Sequence, residues 1–131
     1  MSKALEKAQV YQEEKADKVP KIQRPEFHVS SPIGWINDPN GWSVYKGEYH
    51  LFFQYHPYNT HWGPMHWGHM KTNDFVKWER MPVAMAPDME YDKNGCFSGS
   101  AIEDNGKHIL MYTGVYEEEV NDKKEVYQVQ C

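Results

Sequence analysis

The sequence predicts an all-β chain built from a repeated antiparallel unit and preceded by a short N-terminal helix. Three observations carry this. Aromatic residues make up 15% of the 131 residues, with five Trp and nine Tyr, and such side chains suit a pleated surface. Two segments read as hairpins: Gly41 to Tyr45, a Lys46-Gly47 turn and Glu48 to Gln54, then Gly99 to Glu103, an Asn105-Gly106 turn and Lys107 to Thr113. The two also align, Gly41 on Gly99, Val44 on Ile102, Gly47 on Gly106, Leu51 on Leu110 and Phe53 on Tyr112, and each leads to a further strand, 66–71 and 125–130. A repeated unit of antiparallel strands is how a β-propeller blade looks in sequence, although this spacing exceeds the usual ~40–50 residues and requires extended loops. Two packed sandwich sheets are the alternative. About two units cannot close a ring of at least ~4 blades, so an incomplete propeller is expected.

Taken in order, residues 2–17 are rich in Ala, Glu, Lys and Gln, which favour helix, and stop before Pro20. Their apolar stripe is thin, which predicts a surface helix without chemistry. Residues 21–31 are expected to be extended. The division that follows is an N-terminal segment, 1–24, and a propeller portion, 25–131. The stretch Trp35-Ile36-Asn37-Asp38-Pro39-Asn40-Gly41 predicts a tight reversal, because Pro39 fixes φ while Asn40 and Gly41 tolerate positive φ. It places the carboxylate of Asp38 between an indole and amides, which suits a site; an Asx turn to its own backbone is the equal alternative. Glu117 to Glu119 read as a solvated loop. The last residues, 127–131, read as strand without turn residues, which is expected of a truncated product.

Composition excludes several function classes. The net charge is −5 and no basic cluster occurs, which argues against nucleic acid and anionic membranes as partners. No apolar run reaches the ~18–20 residues of a membrane span, and the N-terminus lacks the apolar core of a secretory signal. Two cysteines, Cys96 and Cys131, make no disulfide framework and point to a reducing, cytoplasmic setting. His56, His61, His66 and His69 fit no standard zinc spacing, so no metal is expected. The acidic stretch 88–95 fails as a calcium loop, since Ala101 stands where the twelfth-position Glu belongs. Cys96, beside Phe97, reads as a small buried apolar residue rather than a reactive thiol.

An ordered set of motifs carries a resemblance. Phe27-His28 leads through Gly34 to Trp35–Gly41, then come Tyr49 to Pro57, Trp62-Gly63, His66-Trp67-Gly68-His69, Asp74 to Glu79, Pro87-Asp88 and Gly95 to Ser100. Over residues 26–115 the chain resembles the N-terminal part of glycoside hydrolase family 32, the invertases and sucrose-6-phosphate hydrolases. The resemblance implies a five-bladed propeller with a central funnel, hydrolysis of terminal β-fructofuranosides with retention, and no cofactor.

By the same resemblance, Asp38 is the nucleophile, attacking the anomeric carbon to form a fructosyl-enzyme that water releases. Trp35, Ile36, Asn37, Gln54, Trp62, Phe97 and Ser98 are the implied substrate-binding residues. Asn37 is expected to donate to Asp38 and to a sugar hydroxyl. A retaining reaction needs a second carboxyl ~5–5.5 Å away, and the family's Glu-Cys and Arg-Asp-Pro motifs are absent from this sequence. Glu103, Glu117, Glu118 and Glu119 match neither. The expected partner is therefore a small sugar, sucrose, sucrose 6-phosphate or another β-fructoside, with negligible hydrolysis by these residues alone. A non-catalytic sugar-binding propeller and a fructosyltransferase are the alternatives.

Overall fold

A computed structural model describes residues 1–131. Seven strands form two antiparallel sheets. The first has the order β1 (Trp35–Tyr45), β2 (Glu48–His56), β3 (His66–Thr72) and a short β4 (Glu79–Arg80); the second has β5 (Gly95–Asp104), β6 (Lys107–Val120) and β7 (Lys123–Gln130). Both expected hairpins form. Lys46-Gly47 and Asn105-Gly106 have positive φ throughout, the backbone that lets a two-residue loop follow the twist of its strands. A third such turn at Asn121-Asp122 joins β6 to β7.

Two expectations are corrected. The stretch Asp38 to Gly41 does not reverse the chain: it runs within β1, with Pro39 opposite Phe53 and Asn40 opposite Phe52. Pairing with β2 uses Gly41's positive φ for an irregular strand, and Pro39 costs little because β1 is an edge strand. Glu117 to Glu119 are not a loop. They lie in β6, facing Val126, Glu125 and Lys124 of β7, and Lys124 Nζ reaches Glu117 at 2.8 Å. In addition, residues 21–23 form one 3₁₀ turn rather than an extended segment.

The first sheet is covered on both faces, which leaves no residue of β2 fully exposed. Alternate residues point to opposite faces. Phe53 and Tyr55 join Met70, Val83 and Ala8 under helix α1 (Lys3–Ala16), while Phe52 joins Trp67 and Cys96 against the second sheet. The helix is capped by Ser2, whose Oγ accepts from Leu5 N at 3.2 Å. It is more than a surface element: Gln9 and Gln12 donate to the carbonyls of Val83 and Met81. Arg24 fastens the following segment through the carbonyls of Ala16, Ser31 and Pro32. The sheets meet where β1 faces β5, and Cys96 N donates to Met65 O at 2.8 Å.

Candidate active site

The site is built from bulges in the first strand of each sheet. In β1, Ile36 pairs with Tyr55 and Pro39 with Phe53, so Asn37 and Asp38 together stand opposite the single residue Gln54. In β5, Phe97 pairs with Thr113 and Gly99 with Tyr112, leaving Ser98 as the extra residue. A bulge bends its strand and re-aims side chains, which is why it recurs beside sites. Asn37, Asp38 and Ser98 are all open to solvent as a result. The Asx turn open to Asp38 is made elsewhere, by Asp74, whose Oδ1 accepts from Val76 N and Lys77 N.

The amides around Asp38 are oriented by protein partners. Trp35 Nε1 donates to Asn37 Oδ1 at 2.8 Å, which leaves the Asn37 Nδ2 hydrogens for another acceptor. Gln54 is buried, 3% exposed, and its Nε2 donates to the Cys96 carbonyl across the seam at 3.0 Å. Its Oε1 has no partner within the chain and is not sealed from solvent. Trp67 Nε1 holds the Phe97 carbonyl at 3.1 Å, and the Phe97 ring meets Trp62 edge-on at 6.2 Å. Trp62 itself is 59% exposed. Ile36, by contrast, packs beside the cluster under the helix.

The structure thus links Trp35 to Asn37, Gln54 to the Cys96–Phe97 backbone, and Phe97 to Trp62. The chain's hollows lie elsewhere, such as the open one of about 260 Å³ lined by Glu48, Lys71, Asp74 and Trp78; the site residues line the surface outside them.

Two supporting residues escaped the sequence. Asn40, read as a turn residue, is buried and accepts from Gly99 N at 3.4 Å, tying one bulge to the other. Asp92, in the acidic stretch 88–95, is buried: it accepts from Asp88 N and Met89 N and from Tyr112 Oη at 2.6 Å. Burial, followed by that bond to Asp92, raises the Tyr112 hydroxyl pKa well above its usual range. Burial first, then the Asp92 charge, raises that of the Cys96 thiol, so Cys96 stays a thiol. Only the approach of two strands reveals such contacts. The histidines weighed as ligands have separate partners: His56 the His61 carbonyl, His66 the Pro64 carbonyl, and His69 the ring of His50.

Residues 28–131 match the family described as Glycosyl hydrolases family 32 N-terminal domain. Among curated relatives, the chain is 51% identical over 107 residues to a sucrose-6-phosphate hydrolase of Zymomonas mobilis, covering 82% of this chain and 21% of that protein. It is 49% identical over 109 residues to a raffinose invertase of Escherichia coli, covering 82% and 23%. A solved GH32 β-fructofuranosidase of Bombyx mori superposes with a TM-score of 0.82 at 38% identity, covering 97% of this chain and 26% of that one. A mutant of that silkworm enzyme has been solved in complex with sucrose. The chain therefore spans about a fifth to a quarter of the length of these relatives. Two open sheets, an edge strand carrying Asp38 and a family match over most of its length make this chain a member of glycosyl hydrolase family 32, holding an N-terminal part of its β-propeller.

Proposed function

We propose that the chain supplies the nucleophile half of a retaining β-fructofuranosidase acting on sucrose or sucrose 6-phosphate. The observation that carries this reading is the β1 bulge, which presents Asp38 exposed and free of any turn bond, opposite Gln54. In this reading Asp38 attacks the anomeric carbon of the fructosyl unit, and water later hydrolyses the covalent intermediate. Asn37 offers donors and Gln54 an acceptor, so together they suit hydroxyls that both give and receive hydrogen bonds. Trp35, Trp62 and Phe97 wall the sugar, Ser98 binds it at the β5 bulge, and Ile36 contributes through its place in the strand. Residues 25–131 form the propeller portion and residues 1–24 a clasp on its first sheet. Two unpaired cysteines support a cytoplasmic setting.

The acid/base carboxyl is not among these residues. Glu103 lies opposite His108 near the end of β5, and Glu117 pairs with Lys124. General acid assistance contributes roughly 10²–10⁴ in rate, so residues 1–131 alone bind fructosides weakly and hydrolyse them negligibly. Sucrose titrated into the purified chain, followed through the indole signals of Trp35 and Trp62, tests the binding half. Weak binding altered by Asp38→Asn supports the reading. Binding of unchanged strength in that variant favours a non-catalytic sugar-binding fragment, and rapid sucrose turnover by the chain contradicts the assignment of roles.

A further inference from the structure

Three imidazoles meet on the seam between the sheets, and the proposed reaction uses none of them. Nδ1 of His50 on β2 lies 2.9 Å from Nε2 of His69 on β3, a separation at which the two rings share one proton. His108 of β6 comes across from the second sheet, its ring 5.0 Å from that of His50. Ser43 Oγ donates to the Gly41 carbonyl and so accepts the Nε2–H of His108 at 2.8 Å. Tyr45 stacks on the same imidazole at 4.6 Å, and Phe52 stacks on His69 at 4.2 Å. His50 is buried and its Nε2 has no partner.

We propose that His50, His69 and His108 form an acid-sensitive latch between the two sheets, closed while the rings are neutral and released by their protonation. The cluster is boxed by aromatic rings, and further protons place like charges within contact distance of one another. Few neighbours offset them. Lys71 on β3 is a cation and opposes protonation of His69. Glu48 on β2 is already paired with Lys71 at 3.1 Å. Ser43 and Tyr45 of β1 are uncharged, with Lys46 over the Tyr45 ring. Glu103, opposite His108 on β5, favours the charged form, as does Glu48 towards His50.

Burial, then the charges of His50, His108 and Lys71, pushes the His69 pKa down to about 3, and burial lowers that of His108 as well. Groups whose pKa is lower in the closed state than the free value near 6.5 stabilise closure fully above that pH. The stabilisation is lost as pH falls below it. Opening would draw the Asp38 bulge away from the Ser98 bulge. That consequence rests on the proposed active site; the latch does not.

The test is proton NMR of the purified 131-residue chain, titrated from about pH 7.5 to about 5 across the ordinary histidine range. Expected is loss of the cross-seam contacts Tyr45–His108 and Gly41–Ala101 by the acid end, while Val44–Tyr49 within the first sheet and Ile102–Ile109 within the second persist. His108→Gln keeps a donor for Ser43 and removes one proton site, so the opening midpoint should move to lower pH by about half a unit or more. Seam contacts that survive the titration overturn the proposal. So does simultaneous loss of contacts within and between sheets, which is ordinary acid unfolding. If His108→Gln does not fold, the wild-type titration decides.

Discussion

Gln54 shows how a side chain is fixed for work by a partner far along the sequence. Its Nε2 is committed to the Cys96 carbonyl, so the atom left for a ligand is an oxygen. Gln54→Leu keeps the bulk but strands that buried carbonyl. A loss of about 1–3 kcal/mol is expected from the desolvation of an unpaired polar group, read as a lower urea midpoint. The same residues show where sequence reading stops. Asp, Pro, Asn and Gly serve turns and bulges equally, and only the pairing partner decides. Here β2 supplies that partner, so the expected reversal became two irregular steps in a strand. The Asp38 stretch stood out as a motif; the hydrogen bonds of Asn40, Gln54 and Asp92 did not, because each bridges residues that only the fold brings together.

At the scale of elements, the hairpins were the most legible feature, since their turn chemistry is local. Two glycines in the second hairpin separate conformational from steric demands. Gly106 has φ +76° and open space around its Cα, so Gly106→Ala should cost only the backbone strain of about 1–2 kcal/mol. Gly99 follows the Ser98 bulge, and an added Cβ there would press into the backbone of Met111 and Tyr112. Gly99→Ala should therefore destabilise by more than Gly106→Ala, roughly 3 kcal/mol or beyond, with β5 displaced; chemical denaturation of the two variants side by side checks the order. The acidic run 117–119 misled because charge alone reads as loop. In the sheet it is a stretch of β6 whose charges are met by Lys124 and by solvent.

The whole molecule depends on cover that the thin stripe of α1 did not advertise. The helix contributes Ala8 and Leu5 to the cluster of Phe53, Tyr55, Met70 and Val83, and its glutamines satisfy carbonyls of the loop beyond β4. Deleting residues 1–16 should expose that cluster, increase binding of a hydrophobic dye and lower the melting temperature, while leaving the seam side at Phe52 and Trp67 covered. Both sheets were foreseen because each repeats a local pattern; how they meet was not, because the seam is made of single residues from distant strands.

The central claim is that this segment brings a working nucleophile to a fructosidase ring. It is tested most directly by grafting residues 1–131 in place of the matching segment of the Zymomonas mobilis relative, 51% identical over 107 residues, and assaying sucrose hydrolysis by the folded chimera. The account predicts turnover that Asp38→Asn reduces by about 10⁴-fold or more, as expected for removal of a nucleophile. A folded chimera that hydrolyses sucrose equally well with that substitution would contradict it.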